Sequence, residues 1–242
     1  MRKLIEKIHD MGLTNTIYYT FHVLGYLCVL IFNVWYGKKY KVKPWHAIVT
    51  TIIVYSITYL WIHVQYWMES GFRVFGPNNM VRGFVYIPLF ALPVAKLLQI
   101  PWKRMCDFIA PCVCISFGIS HIGCIFPGCC NGYPCSWGIC KPSTGQILFP
   151  VQLFEAVTAL AIVWYLVFRA KKCSYVSDGL TFPIMLVCYG STRFLWEFAR
   201  SNEKILLNCS SLSFHALFMA LVGLAAILYL KNVSKRRERT KV

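Results

Sequence analysis

The stretch SLSFHALFMALVGLAAILYL, residues 211–230, contains no Lys, Arg, Asp or Glu. A helix of this length is about 30 Å long, which matches the hydrocarbon thickness of a bilayer. Similar apolar stretches recur along the 242-residue chain, which is 57% hydrophobic and only 14% charged. Soluble proteins are about 25% charged. The sequence therefore predicts an all-α, polytopic membrane protein whose residues 1–242 form a single integral membrane domain.

Seven apolar stretches are predicted to be transmembrane helices. They lie near residues 14–36, 46–68, 81–98, 105–127, 149–168, 180–199 and 211–230. The stretch 81–98 is shorter and carries Pro88 and Pro93, so we expect it to be kinked or only partly inserted. Residues 1–14 lead into the first stretch without a small-residue cleavage site, and no removable signal peptide is predicted.

The basic residues predict how the helices are oriented, because cytoplasmic loops of membrane proteins retain Lys and Arg. Four basic clusters follow alternate helices and therefore share one side, at residues 38–43, 103–104, 169–172 and 231–241. This side should be cytoplasmic, with the N-terminus outside and the C-terminus inside. The outer face then carries the connections 69–80, 125–148 and 200–210. Orientation explains most of the net charge of +16, so nucleic-acid binding is not expected.

Three ionisable residues fall within one predicted membrane helix. Arg193, Glu197 and Arg200 are spaced four and three apart and share a face, with Tyr189 one turn earlier. Charges inside a membrane are costly unless they are paired. We expect Glu197 to neutralise one guanidinium and the other Arg to bind an anion such as phosphate. Alternatively, Arg193 and Glu197 form a structural pair while Arg200 reaches the membrane interface.

A second polar pair, Gln152 and Glu155, opens the stretch 149–168. Polar side chains at this depth either hold helices together or serve a functional site, and the sequence leaves both possibilities open. The two residues lie on neighbouring faces of the predicted helix, about one turn apart.

The 125–148 connection is predicted to be a structured loop or re-entrant segment, because it is rich in Gly, Pro and Asn. Five cysteines lie in or next to it: Cys124, Cys129, Cys130, Cys135 and Cys140. Their spacing lacks the C-x-x-C pairs of structural zinc sites, so the metal signal is weak. Disulfides and free thiols both stay open. A thiol activated by His121 is the sharper hypothesis, because the thiolate is the reactive form.

Taken in order, these segments resemble the prolipoprotein diacylglyceryl transferases, membrane enzymes that lipidate bacterial lipoprotein precursors. The segment YGSTRFLWEFAR, residues 189–200, is similar to the late-helix motif of that family. Residues 150–155, PVQLFE, are similar to its H-P-x-Q-L-Y-E motif, and Tyr18 resembles a first-helix tyrosine. The resemblance spans about residues 15–230. It also implies seven helices with the N-terminus outside, in agreement with the charge pattern.

The chain departs from the family pattern in two places. Where the family signature opens with Arg-x-Gly-Asn and continues to a Glu, this chain has His121, Gly123, Cys124 and Cys129. The glycine framework of the signature is kept, at Gly123, Gly128 and Gly132. Arg82 stands where the family has the His of a His-Gly-Gly stretch. The polar groups of the signature are thus replaced while its backbone pattern persists.

The resemblance implies a transferase in the bacterial cytoplasmic membrane. It would move the diacylglyceryl group of phosphatidylglycerol to the lipobox cysteine thiol in the signal peptide of a prolipoprotein, forming a thioether and releasing glycerol phosphate. The implied catalytic residues are Arg193, Glu197, His121 and Arg82. The implied substrate-binding residues are Tyr18, Gln152, Glu155, Tyr189, Arg200, Gly123, Gly128 and Gly132. Cys124, Cys129 and Cys130 would form a possible thiol site.

The resemblance calls for no metal and no cofactor, and we expect a monomer embedded in the lipid bilayer. Two other functions stay open. One is a transferase of the same fold that has a different acceptor and uses a cysteine of residues 124–140 in its chemistry. The other is a non-catalytic carrier or transporter that holds an anionic lipid headgroup on the arginine face.

Overall fold

The computed structural model describes residues 2–73, 81–141, 143–207 and 209–239, which are mostly helical. The helices are α1 (Arg2–Asp10), α2 (Thr14–Lys39), α3 (Pro44–Glu69), α4 (Val81–Phe84), α5 (Ile87–Leu97), α6 (Trp102–Gly123), α7 (Val151–Lys172), α8 (Thr181–Ala199) and α9 (Ser211–Arg239). Two short strands, β1 (Pro134–Cys140) and β2 (Ile147–Leu148), form an antiparallel hairpin. Helices α2, α3, α6, α7 and α9 are long and apolar enough to cross a membrane. The prediction of a helical, multi-pass membrane protein is therefore confirmed.

The predicted helix 81–98 is broken into two pieces. Its first part is the single turn α4, and its second is α5, which has Pro88 in its first turn and Pro93 inside it. Proline has no N–H to donate to the preceding turn, so the chain restarts its helix at this point. The 11 residues of α5 extend about 16 Å, roughly half of the hydrocarbon thickness. Helix α5 alone is therefore too short for a full crossing.

Helix α6 is the centre of the helical bundle. In the most apolar 18-residue stretch of α6, 83% of the residues are buried. In the corresponding stretch of α2 only 17% are buried, so α2 presents most of its side chains to the surroundings. Helices α2, α7 and α8 all pack against α6, and α9 packs against α8. The polar residues near the end of α6 are consequently enclosed by neighbouring helices.

The two ends of the bundle differ in their chemistry. At one end, the last turns of α2 and α7 carry basic residues. The start of α6 lies at the same end, where Gly179 packs against the side chain of Lys103 and Tyr40 packs against Tyr175.

At the other end of the bundle, the Cys-rich connection, residues 125–148, covers the end of α6. Ile5 of α1 packs against Ile125 and Ile139 of that connection. The amino-terminal helix therefore lies at the end that carries the cysteines.

Several predictions about the connections were incomplete. Helix α1 and the β1–β2 hairpin were not predicted, and the predicted helix 105–127 ends at Gly123. The hairpin lies within the 125–148 connection, which is otherwise irregular, so the predicted non-helical character is correct. Helix α9 continues to Arg239 instead of ending at residue 230. Within the predicted 69–80 connection, residues 76–79 lie outside the described residues, as does Lys241 of the last basic cluster.

The basic end is held together by a buried carboxylate, Asp107 of α6. Its two oxygens accept hydrogen bonds from the backbone N–H groups of Gly179 (2.8 Å), which precedes α8, and of Thr181 (3.0 Å), the first residue of α8. No side chain of α8 itself caps this helix. Asp107 therefore supplies the missing acceptor from a neighbouring helix.

Replacing Asp107 by alanine is expected to lower the free energy of unfolding by about 2 kcal/mol, because two buried N–H donors lose a charged acceptor. Thermal unfolding of the detergent-solubilised protein measures the change. Asp10→Ala is the matched control, because Asp10 is exposed. Equal melting temperatures for Asp107→Ala and Asp10→Ala would show that this contact does not hold α8 in place.

Candidate functional site

Five charged or titratable side chains meet in the interior, where α7 and α8 approach the end of α6. Arg193, Glu197, Arg200 and Glu155 expose no more than 3% of their surface, and His121 exposes 6%. The spacing of four correctly predicted that Arg193 and Glu197 share one face of α8, whereas Arg200 follows the end of that helix in extended backbone. We call this set the charged cluster.

Glu155 is the hub of the charged cluster. One of its carboxylate oxygens accepts a hydrogen bond from Arg193, and the other accepts one from Arg200. Nδ1 of His121 lies 3.0 Å from the second oxygen. Arg193 also lies 3.0 Å from Glu197, but Nε of Arg200 is 3.9 Å from Glu197. Glu197 thus pairs with one arginine, Arg193, as expected. The expectation that the other arginine is left unpaired is wrong, because Glu155 pairs with both.

Glu197 is instead fixed by residues that the sequence did not single out. Its Oε1 accepts hydrogen bonds from Ser210 (2.8 Å) and from the amide of Asn202. Lys204 donates to its backbone carbonyl over 2.8 Å. All three partners lie in or near the 200–210 connection, which joins α8 to α9. They could not be recognised from the sequence, because nothing in their spacing relates them to Glu197.

Aromatic rings form one wall of the charged cluster. The ring of Phe117 lies 4.0 Å from His121 and 5.1 Å from Tyr189, between centroids, and Phe84 of α4 packs against both Phe117 and Tyr189. The hydroxyl of Tyr189 is buried and has no hydrogen-bond partner among the described residues. This hydroxyl is a donor that is available to a ligand.

The Cys-rich loop, residues 124–133, lies directly against the charged cluster. The sequence left open whether Gln152 holds helices together or serves a functional site. Its amide donates to the backbone carbonyl of Cys129 (2.6 Å) and to the side-chain oxygen of Asn131 (2.6 Å). Asn131 in turn donates to the carbonyl of Gly128. Gln152 therefore fixes the loop to α7, one turn away from Glu155.

Two of the predicted framework glycines are needed for this loop conformation. Gly128 has φ +68°, a left-handed conformation that other residues rarely adopt. A Cβ at Gly132 would lie 2.7 Å from the carbonyl oxygen of Ala199 and 2.8 Å from that of Phe149. Gly132 also forms a β-bridge with Arg200. Gly123, at the end of α6, packs against Phe21 of α2.

The three thiols of Cys124, Cys129 and Cys130 face one another, with their Sγ atoms within 4.8 Å. Cys130 lies in the Cys-rich loop, outside the helices, and its pKa is lowered well below that of a free thiol. Hydrogen bonds from the thiols of Cys124 and Cys129 are the main cause, and the charges of Arg200 and His121 act in the same direction. Cys130 is therefore the thiol of this group that is most readily ionised.

Replacing Gln152 by alanine is expected to loosen the Cys-rich loop. Each neutral hydrogen bond contributes about 1 kcal/mol, so the population of opened loop should rise about fivefold or more. Labelling of the thiols with a maleimide, followed by peptide mass spectrometry, measures the rate at Cys129 and Cys130. Gln146→Ala is the control, since Gln146 is exposed in the hairpin. Unchanged labelling rates in Gln152→Ala would show that Gln152 does not hold the loop.

Arg82 makes its polar contacts with residues outside the charged cluster. It forms an ion pair with Glu69 at the end of α3, and one of its nitrogens is 3.4 Å from Oγ of Ser211. It lines a recess of about 290 Å³ together with Gln65, His215 and Phe218. The sequence grouped Arg82 with the catalytic residues, but the structure shows no contact between Arg82 and the arginines of α8.

An apolar cavity of about 490 Å³ lies between α2, α3, α5 and α6. Its lining includes Tyr26, Tyr55, Ile87 and Phe117. Tyr18 also lines it and lies close enough to the three thiols of the Cys-rich loop for their charges to act on its hydroxyl. The cavity therefore reaches from the lipid-facing helices towards the charged cluster.

The fold and the site define a polytopic membrane protein with a buried arginine–carboxylate cluster beside thiols and an apolar cavity. Residues 44–229, well over half of the chain, match the family described as prolipoprotein diacylglyceryl transferase. The chain belongs to this family. Helices α3 to α8 and most of α9 lie within the matched residues, whereas α1, α2 and Tyr18 do not.

Three curated relatives carry the name phosphatidylglycerol–prolipoprotein diacylglyceryl transferase. The relative from Clostridium tetani is 25% identical over 180 residues, covering 71% of this chain and 68% of the relative. That from Cupriavidus pinatubonensis is 28% identical over 159 residues, covering 61% and 56%. That from Cupriavidus necator is 26% identical over 194 residues, covering 74% and 67%. The chain thus spans between about half and two thirds of the length of these relatives.

Proposed function

We propose that this protein transfers the diacylglyceryl group of phosphatidylglycerol to the lipobox cysteine thiol of a prolipoprotein. The product is a thioether, and glycerol phosphate is released. The observation that carries the proposal is the charged cluster, in which Arg193 and Arg200 lie side by side in the family-matched part of the chain. The names of the relatives support both the lipid donor and the protein acceptor.

The two arginines stabilise the leaving phosphate. A guanidinium has five N–H donors in a planar fork, and Nε of both arginines lacks a hydrogen-bond partner among the described residues. Each arginine can therefore bind a phosphate oxygen while its other nitrogens stay on Glu155. As the bond between carbon and phosphate oxygen breaks, negative charge grows on the phosphate. Fixed cations in a water-poor site lower the energy of that transition state.

His121 is the better base for the acceptor thiol. Glu197 is occupied by Arg193, Ser210 and Asn202, whereas the imidazole of His121 faces Glu155 across 3.0 Å. A carboxylate beside a histidine orients the ring and stabilises the imidazolium that forms when the ring accepts a proton. Glu197 then serves to position Arg193.

The apolar cavity holds the acyl chains of the lipid donor. Ligand pockets of this kind are mostly apolar with a few polar groups, and this cavity has Tyr18 and Ser120 where it approaches the charged cluster. The hydroxyl of Tyr189 is available to the glyceryl or phosphate oxygens. Arg82, in its separate recess, binds a headgroup on its way to the site rather than the reacting phosphate.

The protein is oriented with the charged cluster towards the outer face of the bacterial cytoplasmic membrane. Three of the basic clusters lie at the opposite end, which the retention of Lys and Arg assigns to the cytoplasm. Helix α1 packs on the Cys-rich connection, so the N-terminus belongs outside. The broken α4–α5 segment and α8 complete seven membrane segments, and the chain forms one membrane domain that acts as a monomer.

The test uses purified protein in lipid nanodiscs, phosphatidylglycerol labelled in its esterified glyceryl group, and a lipobox peptide. A peptide with Ser in place of the lipobox Cys is the control. Label should appear on the Cys peptide alone, with glycerol phosphate released in equal amount. If the folded protein retains labelled lipid but leaves the Cys peptide unmodified, it is a carrier and the proposed reaction is wrong.

A further inference from the structure

The Cys-rich loop contains a three-thiol group that the proposed reaction does not use. The Sγ atoms of Cys124, Cys129 and Cys130 lie within 4.8 Å of one another, Cys124 is buried, and the other two are partly buried. The two remaining cysteines of the loop region lie apart. The thiol of Cys135 faces the carbonyl of Trp137, and that of Cys140 lies 3.9 Å from the carbonyl of Lys141.

The protein holds these thiols together by a constrained backbone. Cys130 has φ +60°, a left-handed conformation that is unfavourable for a residue with a Cβ. The conformation is stabilised by Gln152, which donates to the carbonyl of Cys129, and by Asn131, which donates to that of Gly128. A loop that is fixed in this way keeps its three sulfurs close to one another.

The arrangement suits a thiophilic metal ion. Three thiolates around Zn²⁺ lie about 3.8 Å apart, because Zn–S bonds are about 2.3 Å long and tetrahedral. The present separations of the three sulfurs, within 4.8 Å, are close to this distance. Zinc sites with three protein ligands keep a fourth position open for a reacting molecule, whereas structural sites have four protein ligands. Soft thiolate ligands exclude Mg²⁺ and Ca²⁺, which prefer oxygen.

We propose that Cys124, Cys129 and Cys130 bind Zn²⁺ and that its open fourth position receives the sulfur of the acceptor cysteine. The metal site stands on the geometry alone, and the role of the fourth position rests on the proposed function. Zinc-bound sulfur is held as a thiolate, the nucleophilic form of the thiol. Cys124 and Cys129, which replace polar residues of the family signature, thus hold, together with Cys130, the metal that activates the sulfur of the acceptor.

The step balances without an oxidant or reductant. The S–H bond of the acceptor breaks, its proton passes to His121, and a zinc–sulfur bond forms. The sulfur then attacks the glyceryl carbon with an electron pair. The bond between that carbon and the phosphate oxygen breaks, and the pair leaves with glycerol phosphate. A new carbon–sulfur bond remains on the acceptor, and zinc returns to its three protein ligands.

The position of the thiols fits this role. Arg200 and His121 lie close enough to Cys130 to act on its charge, so a sulfur bound on this metal would lie beside the groups that receive the proton and the phosphate. Zn²⁺ with three thiolates carries one net negative charge, which the adjacent guanidinium of Arg200 partly offsets. Tyr18, which lines the apolar cavity, lies close to the same three cysteines, so the cavity ends beside the thiols.

The first test measures metal content. The full chain, purified under reducing conditions and equilibrated with Zn²⁺, should retain about one ion per chain after gel filtration. Cys124→Ser, Cys129→Ser and Cys130→Ser should each lower this content at least about tenfold. Cys135→Ser and Cys140→Ser are matched controls from the same region and should retain the ion. A wild-type protein without stoichiometric zinc, or equal content in both sets of variants, overturns the proposal.

A second measurement does not depend on whether the serine variants fold. Co²⁺ added to the zinc-free wild-type protein should produce sulfur-to-cobalt charge-transfer absorption with the intensity of three thiolates in a tetrahedral site. Addition of a small thiol should raise the intensity to that of four thiolates. Absorption from fewer than three thiolates, or a disulfide among the three cysteines in freshly purified protein, contradicts the site.

Activity then separates this proposal from the proposed function. Removal of zinc by a chelator should lower transfer at least about tenfold, and added Zn²⁺ should restore it. Full transfer by the zinc-free protein would disprove the role of the fourth position while supporting the proposed function. Stoichiometric zinc with no transfer to any lipobox peptide would disprove the proposed function and leave the metal site standing.

Discussion

Replacing Arg193 by alanine is expected to lower the rate of diacylglyceryl transfer by a factor on the order of a hundred to a thousand. Arg193 is almost fully buried and contacts both Glu155 and Glu197. In the proposed reaction its guanidinium stabilises the leaving phosphate. Without it, the charge that grows on that phosphate is met by Arg200 alone. Transfer of labelled lipid to a lipobox peptide in nanodiscs measures the rate.

Two further variants show whether the loss at Arg193 is catalytic. Arg193→Lys keeps the positive charge but loses the planar fork, so it should fold well and still lose most of its activity. Arg169→Ala removes an arginine that pairs with Asp178 over 2.9 Å at the opposite end of the bundle, and it should leave transfer nearly unchanged. Near-normal transfer by Arg193→Lys would show that charge alone suffices and that the fork has no role.

Replacing Glu155 by glutamine is expected to lower the free energy of unfolding by about 3 kcal/mol, because two buried guanidinium groups lose their shared partner. Transfer should fall as well, since His121 loses the carboxylate that orients it. Side-chain volume hardly changes, so loss of packing does not account for the effect. Thermal unfolding in detergent, together with the transfer assay, measures both changes.

Glu203→Gln is the control for the Glu155 variant. Glu203 is exposed in the connection between α8 and α9, and its replacement removes a carboxylate of the same kind without touching the charged cluster. Its melting temperature should match that of the wild-type protein. If Glu155→Gln also melts at the wild-type temperature, Glu155 is not the hub that holds the two arginines.

The shared face of Arg193 and Glu197 could be predicted from the sequence, because helical spacing determines it within α8. Arg200 follows the end of α8 in extended backbone, so helical spacing does not place it. The role of Glu155 could not be predicted either. It lies 38 residues before Arg193 on another helix, and spacing along the chain does not say which helices become neighbours. The sequence did offer one sign of it. Two arginines in a membrane segment had only Glu197 with them in that segment, and a buried charge needs a partner, so a second carboxylate had to come from elsewhere in the chain.

The three-thiol group illustrates a different limit. The spacing of Cys124, Cys129 and Cys130 does not correspond to the paired pattern of structural zinc sites, so it gave only a weak metal signal. The sulfurs meet because the loop turns back on itself at Gly128 and Cys130, both with left-handed backbone. This conformation is stabilised by Gln152 on α7, which no local pattern could reveal.

The long apolar helices were predicted well because length and hydrophobicity alone determine them. The short elements were missed for physical reasons. Helix α1 has only nine residues, too few for a clear periodic pattern. The spacing of three between Ile5 and Ile8, both buried, was the one indication of an amphipathic helix. Strand β2 has only two residues, too few for an alternating pattern to be recognised.

The most direct test of the central claim uses a bacterial strain depleted of its own diacylglyceryl transferase. The strain expresses this chain together with a model prolipoprotein, and mass spectrometry determines the mass of the lipobox peptide. The account predicts one added diacylglyceryl group on the cysteine with the wild-type chain and none with Arg193→Ala. An unmodified cysteine in cells that contain folded, membrane-inserted wild-type protein would contradict it.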